Sequence, residues 1–306
     1  MLESLIRYRE AEKRPWVMFF WAFLICSVGV LFSVQLSYKI YFGSANIDIT
    51  GIFSVLFTIL PSVYFLTFLV KKEEALEEKQ IRMHYSKSFW QRHERDLLIF
   101  QFYFFGLTLA FAIWAFILPP GTFQLQMMKI QEIRSLTGNM FSGSVSGNEM
   151  ASFVQVFLNN MQVMVFSFIF SLLFGAGAVF IVVWNASILG VYIGRLSEAI
   201  YHIPGVSLNF LPHGVPEIAG YLFAGLAGGI ISAAIMRGRK MDILMKVFND
   251  SLKMLGLSVL FILLGALIET GVFAVKIASI FVFYTIFIYI IVTGLAPPRL
   301  LDKKGQ

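Results

Sequence analysis

Residues 16–38 read WVMFFWAFLICSVGVLFSVQLSY, without a single charged side chain. About 20 apolar residues in a helix cross the roughly 30 Å of hydrocarbon in a bilayer. The run therefore reads as a spanning helix. It is too long for a signal-peptide core, no small-residue cleavage pattern follows it, and the preceding residues 1–15 mix four bases with three acids. Those features predict a first helix that is retained.

Similar runs recur along the chain. Gly51–Val70 is a second, with Pro61 as an expected kink. Leu97–Leu118 is a third, stopped by Pro119 and Pro120, and Met161–Val183 is a fourth. Pro216–Met236 is Gly-rich. Lys253–Thr270 and Lys276–Leu295 are joined by a turn at Gly271. Between the fourth run and the Gly-rich one, Asn185–His202 is apolar but short and carries Arg195 and Glu198. It either crosses fully or dips in and returns near Pro204-Gly205. Irregular backbone at depth is tolerated only when buried in protein or lining water. The predicted fold is all-α: a polytopic transmembrane bundle of 7–8 spans with a short or broken helical region near 185–213.

Composition agrees. Hydrophobic residues make up 58% of the 306, and Phe occurs 33 times; an average soluble domain holds roughly 45–50% apolar residues. The net charge of +6 does not indicate nucleic acid, because the bases sit in short segments between apolar runs. With full crossing, segments 1–15, 71–96, 237–253 and 296–306 hold 19 of the 24 Lys and Arg. That bias predicts both termini in the cytoplasm. Trp16, Trp21, Trp114 and Trp184 are expected near interfaces. The lone Cys26 excludes an intrachain disulfide and a multi-thiolate zinc site.

The chain divides into residues 1–118, with a charged cytoplasmic linker at 71–96; an extracytoplasmic loop, 119–158; and a membrane core, 159–306. In the linker, Glu78 and Arg82 are spaced to pair on a helix. The loop opens with an amphipathic stretch, Phe123–Leu136, and continues as a polar run, Thr137–Asn148.

The chemistry concentrates in Asn209–Gly229, NFLPHGVPEIAGYLFAGLAGG. His213 and Glu217 are four apart and share a helix face. Ionisable groups within spans are costly and mark functional sites by default; the alternative is a helix-start pair whose charges serve the backbone. Glu269 ends another apolar helix and has Lys276 as a prospective partner, and Arg195 has Glu198. Asn159, Asn160 and Asn185 read as helix caps. Asn160, His213, Glu217 and Glu269 form an expected polar cluster, in which a carboxylate holds His213, with Arg195 and Asn185 as further polar positions. No metal or cofactor is expected: two more ligands would be needed beside His213 and Glu217. Gly190 and Gly194, Gly225 and Gly229, and Gly220 with Gly228 form small-residue stripes that let helices approach closely, within the chain or on a partner. No phosphate loop, nucleophile elbow or HExxH pattern occurs.

The paired Asn159-Asn160, the glycines Gly175 and Gly177, Asn185, Ile188-Leu189-Gly190, the Leu-Pro-His-Gly run at 211–214, Glu217 and Ile268-Glu269 resemble the stage II sporulation protein M family. The resemblance covers roughly 40% of the chain. It implies a multi-pass protein of the bacterial or archaeal cell membrane. The sporulation member of that family is a membrane component of an engulfment machine with peptidoglycan-degrading partners, a scaffold more than a catalyst.

Three functions follow as expectations. The first is a non-enzymatic scaffold or assembly component of the cell envelope, with other membrane or envelope proteins, or further copies of itself, as partners in the lipid bilayer. The second is a transporter or channel using a polar site around His213 and Glu217. The third is an intramembrane enzyme. A polar cavity reaching His213 and Glu217 favours the second; a dry, tightly packed interior favours the first.

Overall fold

The computed structural model describes residues 14–36, 39–42, 45–63, 89–137, 149–174, 178–236, 238, 241–270 and 285. The linker pair Glu78 and Arg82, the polar run 138–148, Lys276 and the last expected span lie outside them. The described helices are α1 (Val17–Gln35), α2 (Thr50–Val63), α3 (Phe89–Ile117), α4 (Gln124–Thr137), α5 (Glu149–Phe174), α6 (Ala178–Leu196), α7 (Ile203–Met236) and α8 (Met241–Thr270). Among the described residues six of these are long and apolar enough to cross a membrane, and α2 is a shorter apolar helix. The chain is an all-α, multi-pass membrane protein. To the expected bundle the structure adds one short antiparallel hairpin, β1 (Lys39–Phe42) on β2 (Ala45–Asp48).

Small residues set the packing. Gly190 and Gly194 of α6 lie on the backbone of α3 at Thr108–Ala112, where even a methyl group would collide. Arg195 donates two hydrogen bonds just beyond the end of α3, to Leu118 O (3.1 Å) and Pro119 O (2.9 Å). These contacts advance together along both chains, so α3 and α6 run parallel. On the other side of α3, Gly106 abuts the Phe19 carbonyl of α1. Helix α7 is gripped from both flanks: Gly228 meets Phe168 O of α5, while Ser258 and Ser251 of α8 donate to Gly220 O (2.6 Å) and Ala227 O (3.1 Å). Gly225 and Gly229 are buried in the same helix. The glycine stripes thus serve packing within the chain.

Many buried hydroxyls are satisfied within their own helix, as an apolar setting favours. In α2, Ser54, Thr58 and Ser62 donate to carbonyls three or four residues back, and Tyr103 of α3 donates to Ser62 Oγ at 2.6 Å.

Three boundaries differ from expectation. The fourth run is two helices: α5 starts at Glu149, inside the stretch read as a loop, and ends at Phe174, and α6 begins at Ala178. Phe170 stacks on Phe180 across that junction, centroids 6.4 Å apart, so the chain reverses there. Asn185–His202 is not a dipping hairpin. Its first part belongs to α6, which runs the length of a span beside α3, and the break falls at 197–202. Pro212 and Pro216 do not start or interrupt a helix; α7 runs through both, from Ile203 to Met236. Each proline removes one backbone hydrogen bond, and burial between neighbouring helices holds the rest, as membrane bundles allow. The amphipathic stretch does form a helix, α4. It folds back on α6, with Gln126 donating to Gly51 O (2.9 Å) and reaching Ser187 Oγ (3.4 Å).

Candidate functional site

Helix α5 packs chiefly on α7. It touches α6 near their joined end and leaves a wedge between them. A cavity of about 490 Å³ fills the wedge, walled by α4, α5, α6 and α7, with Glu269 of α8 at one end. Its size falls within the roughly 300–1,000 Å³ usual for small-molecule sites. One lining residue, Phe166, is 45% exposed, so the cavity opens at the bundle surface.

The polar end is built by α5, α7 and α8. Tyr221 donates through its hydroxyl to Asn160 Oδ1 (2.9 Å), and Asn160 Nδ2 donates to Glu217 Oε1 (2.7 Å). Glu217 in turn meets the carboxyl of Glu269. Gly265 of α8 makes the room: a methyl group there would occupy the place of Glu217 Cγ. Two carboxylates are acceptors only, so their contact is favourable with a hydrogen or a cation between them. His213, one turn before Glu217, also lines the cavity, with its ring edge-on to Phe210 at 6.0 Å.

The side walls differ in character. On α5, Gln155, Asn159 and Gln162 repeat at i, i+4 and i+7 and all face the cavity. On α6 the rings of Phe180 and Trp184 stack nearly parallel, 2° apart, with centroids at 6.5 Å, continuing the stack from Phe170. Lys129 of α4 reaches the lining and is paired with Glu132 at 2.9 Å.

The structure thus brings together Asn160, His213, Glu217, Glu269 and Asn185. Arg195 is not with them. Helix α6 ends one residue later, Glu198 is exposed beyond it, and the guanidinium serves carbonyls at the end of α3, which lack intrahelical donors. Nor does a carboxylate hold His213: among the described residues it has no ion pair or hydrogen bond, and its neighbour is an aromatic ring. The asparagines are not caps. Asn159 and Asn160 lie mid-way along α5, and Asn185 sits inside α6, donating to Ile181 O at 2.7 Å. Trp184 lies on the cavity wall, inside α6. Among the described residues no three His, Cys, Asp or Glu gather closely enough to hold a metal ion.

Sequence reasoning missed Tyr221, Lys129, Gln155 and Gln162. The spacing of Gln155, Asn159 and Gln162 in an apolar helix was a readable signal. Tyr221, one turn after Glu217, was readable only with Asn160 already placed opposite.

The chain matches no curated protein and no solved structure. Residues 101–273 match the family described as Stage II sporulation protein M. That region begins within α3 and takes in every element that walls the cavity, while α1, the hairpin and α2 lie outside it. Because the match spans more than half of the chain, this protein belongs to the stage II sporulation protein M family.

Proposed function

We propose that this protein binds a small ligand in the cavity between α5 and α6 and passes it across or out of the membrane, without making or breaking bonds in it. One observation carries the reading: a cavity of ligand size reaches His213, Glu217, Glu269 and Asn160. Ionisable groups at such a place are expensive unless they serve a pathway or a ligand. Transporters commonly set their sites between helices near mid-membrane. The base-rich segments support a cytoplasmic location for both termini. That orientation opens the 197–202 turn to the outside.

The scaffold reading retains one support, family membership. In that role the chain would hold other envelope proteins, or copies of itself, and leave the cavity unused. The glycine stripes no longer argue for it, since they are spent on internal packing.

Gly214 separates the two readings. It lines the cavity, and a Cβ added there meets nothing within 4 Å. Gly214→Trp should fill the space without harming the fold. With Cys26→Ser as background, Ile188→Cys on the α6 wall should react with a small soluble thiol reagent, and adding Gly214→Trp should slow that reaction at least tenfold. An unreactive Ile188→Cys, in a protein that folds normally, would return the reading to a scaffold.

A further inference from the structure

Resting on that reading, we infer that the cavity's ligand is an organic cation with an aromatic or aliphatic body, its charge at the Glu217–Glu269 pair and its body along Trp184 and Phe180.

Independent features of the cavity converge on that class. The first is charge. The lining holds two carboxyls in contact, and its one lysine, Lys129, is already paired with Glu132. Among the described residues the pair has no basic partner, and such a pair is stabilised by a cation or a shared proton. The second is the facing wall, where stacked aromatic faces attract cations and accept apolar bodies. The third is His213. It lines the cavity, half-buried beside Phe210, and has no hydrogen-bond partner among the described residues. A neutral imidazole offers one acceptor nitrogen, which suits an N–H of an amine. An anionic ligand would meet the two carboxyls, and among the described lining residues the one lysine, Lys129, is paired with Glu132.

Size and donor set favour an organic occupant over a bare metal ion. About 490 Å³ is far larger than such an ion needs, and no third His, Cys, Asp or Glu joins the pair among the described residues. Gln155, Asn159 and Gln162 give the cavity a polar flank on α5 beside Asn160.

The test uses the full chain in lipid nanodiscs with two probes of the same shape: 2-phenylethylammonium, which carries the N–H groups that His213 would accept, and its neutral carbon isostere, propylbenzene. The cation should bind saturably and at least tenfold more tightly than the isostere. Glu217→Gln with Glu269→Gln should abolish that preference. Trp184→Leu keeps the carboxyls and serves as the second variant should the double change fail to fold; it should weaken cation binding several-fold. Equal binding of both probes would overturn the cation assignment while leaving a ligand cavity in place. Cation binding unchanged in both variants would also overturn it. Binding of neither probe would overturn it too. Labelling of Ile188→Cys, measured on the same samples, reports separately on whether the cavity is open.

Discussion

Asn160 is the residue on which the polar end of the cavity turns. Its amide accepts from Tyr221 and donates to Glu217 at the same time, so it fixes one face of the carboxyl pair. Tyr221 is 4% exposed, which leaves its hydroxyl little access to water. Asn160→Ala removes both bonds and strands the two partners. Leaving a buried polar group unsatisfied costs about 1–3 kcal/mol, so the melting temperature of the purified protein should fall. Asn160→Leu, of similar volume, should fall at least as far; unchanged melting in both would detach Asn160 from the site. His213, Glu217 and Glu269 announced themselves in the sequence because charge is rare in apolar runs. Asn160 carries no such mark: beside a second amide it looks like a cap until the start of α5 at Glu149 is known, and its place in the polar cluster follows only from the need of buried polar groups for partners.

At the scale of elements, hydropathy found the helices and misplaced their ends. The stretch from 149 to 202 has no long polar interruption, because glycine and alanine at 175–178 are themselves compatible with a span. The true reversal was therefore invisible, and Trp184-Asn185 drew a boundary that does not exist. Polar and aromatic residues inside α6 face a cavity, a third environment besides lipid and core. Prolines misled in the opposite direction: Pro212 and Pro216 each cost one hydrogen bond, and α7 continues. At 34 residues it is about 51 Å long at 1.5 Å per residue, well beyond the hydrocarbon thickness. The path from α6 through the 197–202 turn into α7 predicts opposite exposure of its ends. Tyr201 is 76% exposed before α7, and Met241 is 70% exposed after it. In a Cys26→Ser background, Tyr201→Cys should react with an impermeant thiol reagent added to intact cells. Met241→Cys should react only after the cells are opened. Reaction of both from one side would refute the crossing of α7.

On the scale of the whole molecule, α3 is a shared wall. One face takes α1 at Gly106, and the other takes α6 at Gly190 and Gly194. The family match begins within α3, so the cavity-forming half meets the N-terminal half along this helix, and again where Gln126 of α4 donates to Gly51 O. Close approach on both faces has the same physical cause, a missing side chain where a neighbour's backbone lies. Forcing a side chain into such a gap costs typically about 1–3 kcal/mol. The two faces should nevertheless differ in consequence. Gly194→Leu pushes on the helix that carries Asn185, Ile188 and Trp184, so it should lower thermal stability and also change the labelling rate of Ile188→Cys. Gly106→Leu pushes instead on Phe19 and Ala22 of α1. It should lower stability by a comparable amount and leave the labelling rate within about twofold, since α1 contributes no residue to the cavity lining. If both variants disturb labelling equally, the N-terminal helices shape the cavity through α3, and the two halves are energetically one unit.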